Sequence, residues 1–234
     1  VCETTSSSRP RAMISRAALA SAASTAVAAG GRVADLRRDA WGHGVLAVAH
    51  AVTAAGARAV LVDSPVEAET LALEGIEATV DGTADIDPLL LYGLPDDEGA
   101  LRTRPVMRLA GRVLSTKQLK EGDAVSYGYT HRAVTDTTAA LITGGYAQGI
   151  VRALGNSAHV EILGVEMPII GRVAMDVCVI DLGDHDVPIG AEATYFGGCG
   201  PAAPALARWS AVTGLTVAEL ITVAGTHADR GWEA

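Results

Sequence analysis

Lysine is nearly absent. Two of the 234 residues are lysine, Lys117 and Lys120, and both fall in one short segment. Chemistry that needs an amine nucleophile is therefore confined to that segment. Aromatic residues are also few, at one Phe, three Trp and five Tyr, so a core has to be built from Ala, Val, Leu and Ile. There is no basic excess. A formal charge of −9 argues against a phosphate backbone or an anionic membrane as partner, because both select cationic surfaces. The three cysteines, Cys2, Cys178 and Cys199, are odd in number and lack Cys-x-x-Cys spacing. That excludes a disulfide framework and a structural zinc site, points to a reducing, cytoplasmic compartment, and leaves Cys178 and Cys199 as small core residues. Six histidines are scattered without His-x-x-x-His spacing, so no metal site is expected. No run of 18 or more apolar residues exists, so no membrane span is expected.

What is present is ordinary globular material, 49% hydrophobic and 19% charged, long enough for one large domain or two modest ones. Residues 9–30 are rich in Arg, Ser and Ala without an acid, a superficial likeness to a transit peptide, but they are too weakly apolar for a secretory segment. Residues 1–11 read as a flexible tail. An Ala-rich helix is predicted over residues 13–29, ending at Gly30-Gly31. Strands are predicted at Val33–Leu36, Arg58–Asp63 and Ala78–Val80, with a helix at Val45–Ala55. Ser64-Pro65-Val66-Glu67 is a capping box with proline at the first helical position, which starts another helix. This β-α-β-α-β rhythm implies parallel strands. From Pro105 to Phe196, short Val/Ile/Thr-rich runs such as Val134–Ile142, His159–Leu163 and Val177–Leu182 alternate with turn residues, the pattern of a compact β domain. A helix is expected near 201–213, and Thr216-Val217-Ala218-Glu219 opens a last one.

The segment Arg37-Arg38-Asp39-Ala40-Trp41-Gly42-His43-Gly44 resembles the cofactor-lysine loop of the alanine racemase family, Lys-Ala-(Asp or Asn)-Ala-Tyr-Gly-His-Gly. Ile14-Ser15-Arg16-Ala17-Ala18-Leu19 is similar to the family's first helix. Arg104-Pro105-Val106-Met107, Val125-Ser126-Tyr127-Gly128, Gly144-Gly145-Tyr146-Ala147-Gln148-Gly149, Gly171-Arg172-Val173-Ala174-Met175-Asp176, Gly190 to Gly197 and Glu219-Leu220-Ile221-Thr222 resemble its later motifs, in the family's order. The resemblance runs from Ile14 to Arg230. It implies an α+β chain: a flexible tail over 1–11, a truncated β/α-barrel-like unit with parallel strands over 12–98, and a mostly antiparallel β-barrel-like unit over 99–234. A full barrel of this type has eight strands, and only about three βα units fit before Pro95.

The resemblance also implies roles. Tyr127 occupies the position of a catalytic base and Met175 lies in a segment that contacts substrate carboxylate. Trp41, His43 and Gly44 fall in the loop that binds pyridoxal phosphate, although Trp41 lacks the phosphate-binding hydroxyl of the family's tyrosine. Ile86 stands where an arginine pairs with the cofactor's pyridine nitrogen, and 225–230 replaces a segment rich in Arg and Pro. Arg37 stands at the cofactor lysine. A guanidinium stays protonated and cannot hold an aldehyde covalently, so pyridoxal phosphate is implied by resemblance only. Arg37 is expected either to pair with Asp39 or Asp63, or to anchor an anion together with Arg38. The expected function is a degenerate alanine-racemase-like protein acting as a ligand-binding or dimerising subunit, as a homodimer or with a full-length racemase, and with an amino-acid-like ligand. The alternative is an active racemase using Tyr127, alone or completed by a partner chain. A third reading, a nucleotide-binding module around Gly42-His43-Gly44 and Asp63, lacks the Gly-x-Gly-x-x-Gly fingerprint.

Overall fold

Hydroxyl caps set three of the helix starts. In the computed structural model, which describes residues 9–234, Ser15, Ser64 and Thr216 each accept a backbone N–H from three residues further on. The N-terminal part runs β1 (Arg11–Ser15), α1 (Arg16–Ala28), β2 (Val33–Asp35), α2 (Arg37–Trp41), α3 (Val45–Ala54), β3 (Ala59–Leu61), α4 (Pro65–Leu73), β4 (Ala78–Thr79) and α5 (Pro88–Tyr92). There follow β5 (Met107–Leu119), β6 (Ala124–Val125), β7 (His131–Arg132), β8 (Thr137–Thr143), β9 (His159–Ile162), β10 (Val165–Ile170), β11 (Val177–Gly183) and β12 (Glu192–Phe196). The chain ends with α6 (Ala205–Thr213), α7 (Val217–His227) and β13 (Asp229–Glu233).

Strands β5, β8, β11, β10, β9 and β12 form a closed ring of antiparallel pairs, with β12 returning to β5. Closure removes the free edges of an open sheet. The thirteen-residue β5 makes this possible, because its first half pairs with β12 and its second half with β8. Strands β2, β3 and β4 form a separate parallel sheet, as the alternating rhythm predicts. Three strands cannot close a barrel, and β2 is completed differently. The Asp85 carboxylate accepts the Arg32 and Val33 N–H groups at 2.7 and 2.6 Å, while the Asp85 and Ile86 N–H groups donate to Val33 O.

The helix expected over 13–29 starts at Arg16. Before it, residues 11–15 are a strand with Ala12 and Ile14 buried, paired antiparallel to β5 and parallel to β13. Two-residue alternation and two ready partners outweigh the helical propensity of this stretch. Arg11, placed at the end of the tail, opens that strand; residues 1–8 of the expected tail lie outside the described residues. The hydrophobic core is continuous from Ala34 and Val60 through Tyr92 and Met107 to Ile142 and Ile180. Cys178 is buried, as expected, but Cys199 is exposed and lies 2.8 Å from the Arg104 guanidinium. Among the described residues, no single helix is long and apolar enough to cross a membrane.

α2 is a left-handed turn. Arg38, Asp39, Ala40 and Trp41 have φ of 58°, 55°, 53° and 55°, and Gly42 follows at 79°. Each L-residue in that region costs about 1–2 kcal/mol, so the surroundings must impose the conformation. Asp39 is central to that. One carboxylate oxygen accepts the Val45 N–H at 2.8 Å, where α3 starts, and the other pairs with Arg230 of β13. Arg230 also donates to Gly42 O at 3.2 Å. Gly42 and Gly225 of α7 touch backbone to backbone, since a Cβ on Gly42 would lie 2.7 Å from Gly225 Cα.

Behind this turn His43 is wholly buried and stacks on Tyr92 at 4.3 Å between centroids; its Nδ1 is 2.9 Å from Ala40 O, and its Nε2 has no partner among the described residues. Burial lowers its pKa from 6.5 to about 4. The unfolded chain takes up this proton near pH 6.5 and the folded chain only near 4. Stability from this group is therefore complete above pH 6.5 and declines as pH falls toward 4, by about 1.4 kcal/mol per unit. Urea titrations should show the wild type losing roughly 2 kcal/mol more than His43→Phe between pH 7 and pH 5. At pH 7, Asp39→Ala should lower the unfolding free energy by about 2 kcal/mol, because it removes both the α3 cap and the partner of Arg230.

Candidate functional site

The end of β2 and the left-handed turn after it carry the first set of expected site residues. Asp35 ends β2 and Arg37 opens α2 two residues later, which puts the two side chains within reach of each other. The Arg37 guanidinium grips both Asp35 oxygens, at 2.8 and 2.5 Å, and its backbone N–H adds a third bond at 3.1 Å. The pair holds the Asp35 carboxyl below its ordinary range and raises the Arg37 pKa. This corrects the expected partners of Arg37: Asp39 is taken by Arg230, and Asp63 accepts the Arg38 backbone N–H. Both lysines lie elsewhere. Lys117 stands opposite Ala139 in the β5–β8 ladder, and Lys120 pairs with Asp136 at 2.7 Å.

Trp41 is half-buried, with its ring 5.4 Å from Tyr92. His43 points into the core rather than to solvent. Gly44, at φ 102°, caps α3 next to Arg230 and Trp232. Ile86 is 4% exposed and packs on Gly31, so it serves the core.

The second set sits on the β-barrel. Ser126 Oγ donates to Arg172 O at 2.7 Å, and the Tyr146 and Ala147 N–H groups donate to Ala174 O and Met175 O at 3.0 Å. The 125–130, 144–149 and 171–176 segments are thereby laced together. Tyr127 (72% exposed) and Met175 (54%) project from them, with Tyr129 and Tyr146 also exposed. Gln148 braces the arrangement, accepting the Gly145 N–H and donating to Asp176.

Trp41 of the first set and Tyr146 of the second meet across a groove that Tyr127 and Met175 do not line. This groove of about 700 Å³ runs between α2, the 146–152 loop and α7, with Arg38 and Trp41 on one side and Tyr146 and Arg152 on the other. Sequence reasoning missed Arg152; its signal was a lone arginine six residues after an aromatic at a glycine turn. Arg230, also missed as a partner of the turn, lies 191 residues from Asp39 and left no local signal.

The β half matches a family described as alanine racemase, C-terminal domain, over residues 106–232. Among curated relatives, an alanine racemase of Salinispora arenicola is 39% identical over 139 residues, 59% of this chain and 37% of the relative. One from Corynebacterium efficiens is 42% identical over 120 residues, 50% of this chain and 33% of the relative. The chain thus spans about a third of the length of the curated relatives it matches. Among solved structures, alanine racemase from a D-cycloserine-producing Streptomyces lavendulae superposes with a TM-score of 0.84 at 20% identity, covering 98% of both chains. Alanine racemase from Bartonella henselae with covalently bound pyridoxal phosphate gives 0.75 at 18% identity, covering 96% of this chain and 99% of that one. At such identities the superpositions speak for the fold. The family match covers more than half of the chain and includes the barrel that carries Tyr127, Tyr146 and Met175; this chain belongs to the alanine racemase family.

Proposed function

We propose that this chain is a ligand-binding or dimerising member of the family that does not carry out lysine-dependent racemization. The carrying observation is the Arg37–Asp35 pair at the end of β2. A covalently held pyridoxal phosphate needs an amine that can lose its proton, and a guanidinium gripped by a carboxylate is the opposite case. Two further positions support the reading: Ile86 offers no charge to a pyridine nitrogen, and Trp41 offers no hydroxyl to a phosphate. The residues present do not fit that cofactor.

Assembly is supported by what the surface leaves uncovered. Tyr127, Tyr129 and Met175 are each exposed on the barrel. On the other unit, α4 exposes Val66 and Leu73, and Val80 beside β4 is also exposed. A shortened β/α unit over residues 12–98, joined to a β unit over 99–234, leaves such faces for a second protein chain to cover. The partner is a second copy or a full-length racemase, to which Tyr127 would be offered from outside. Racemization completed by such a partner is the alternative reading, favoured by the exposure of Tyr127.

Two measurements separate these readings. Sedimentation of the purified chain should give a dimer, and D-alanine formation from L-alanine should stay at background for the chain alone. Mixing with a full-length homologue and repeating with Tyr127→Phe distinguishes passive pairing, unaffected by the substitution, from base donation in trans, which the substitution should lower at least tenfold. Enzyme-like turnover by the chain alone would overturn the proposal.

A further inference from the structure

We infer that the groove between α2, the 146–152 loop and α7 binds a small amphipathic carboxylate, its apolar body against Trp41 and Val223 and its anionic group on Arg152 and Arg38. This deepens the ligand-binding half of the proposed function and uses none of its dimerising half.

The Arg152 guanidinium makes no hydrogen bond or ion pair among the described residues; its one specific contact is the Tyr146 ring, 5.3 Å from the guanidinium carbon. A guanidinium steadied over a ring retains all its N–H donors and has less freedom to lose on meeting an anion. Arg38, across the groove, is 79% exposed, and its guanidinium comes no closer than 3.9 Å to Asp63. In a chain of net charge −9, two arginines without a tight acid partner face the same space. The one acid lining the groove, Glu219, is turned back into the α7 cap, accepting from Thr216 N and Thr216 Oγ1 at 2.8 Å each.

Shape and lining supply the other half of the ligand. A volume of about 700 Å³ lies within the range that holds small organic molecules, and Trp41, Val151, Leu215 and Val223 give it an apolar wall. A bare inorganic anion would leave that wall wet, and a neutral apolar molecule would leave the arginines without partners. A carboxylate matches the planar fork of arginine and can carry a ring or short chain into the groove.

The test is calorimetric titration of the whole chain with 3-phenylpropionate and with its neutral amide. The expected result is one-to-one binding of the acid, at least tenfold tighter than the amide. Arg152→Met should weaken the acid at least tenfold and leave the amide unchanged, and Arg38→Met should cause a smaller loss. Thermal unfolding of both variants should match the wild type, since both side chains are solvent-facing. As a second readout on the unsubstituted protein, the acid should change Trp41 fluorescence, and Trp41→Phe should abolish that change. Equal affinities for acid and amide, no heat with either, or an acid affinity indifferent to Arg152→Met would overturn the inference. Any of these would leave the sedimentation and D-alanine tests standing.

Discussion

One carboxylate ties the two halves of this molecule together. Asp39 sits inside four consecutive left-handed residues, caps the start of α3 with one oxygen and pairs with Arg230 of β13 through the other. Without that clamp the turn would relax toward ordinary backbone, since each of its non-glycine residues is held uphill. The consequences spread outward. The turn sets Trp41 against Tyr92 and into the groove, buries His43, and brings Gly42 onto Gly225 of α7. Strained backbone of this sort concentrates at functional sites. Here it adjoins Arg37 and docks an N-terminal turn onto a C-terminal helix.

The two sheets solve the same edge problem in different ways. The six-strand ring closes on itself and has no edge to protect. The three-strand parallel sheet cannot close, so Asp85 satisfies the N–H groups at the start of β2 from the side. The opposite flank, with Val80 beside β4 and Val66 and Leu73 on α4, keeps an apolar face toward solvent. The self-sufficient unit carries Tyr127 and Met175, and the unit that is not self-sufficient carries Arg37. That asymmetry is the physical basis for reading the chain as something that binds and assembles.

Much of this was legible locally. The Ser64 and Thr216 caps, the three parallel strands and the order of the β segments all follow from neighbouring residues. Arg37 itself was visible too, but not its partner: Asp35 lies two residues back at the end of β2, and the choice among Asp35, Asp39 and Asp63 depends on where Arg230 ends up. Residues 13–15 of β1 fall within the expected helix because the pairing with β5 and β13 that makes them a strand spans almost the whole chain. The groove was invisible for the same reason, since Trp41, Arg152 and Val223 meet only after the left-handed turn has docked on α7.

Among the described residues, neither lysine amine lies at the Arg37 turn to hold an aldehyde cofactor. Incubation of the purified protein with pyridoxal phosphate, reduction with borohydride and intact mass analysis with peptide mapping tests this. No stoichiometric adduct is expected at any single residue. A full-occupancy adduct mapped to Lys117 or Lys120 would contradict it.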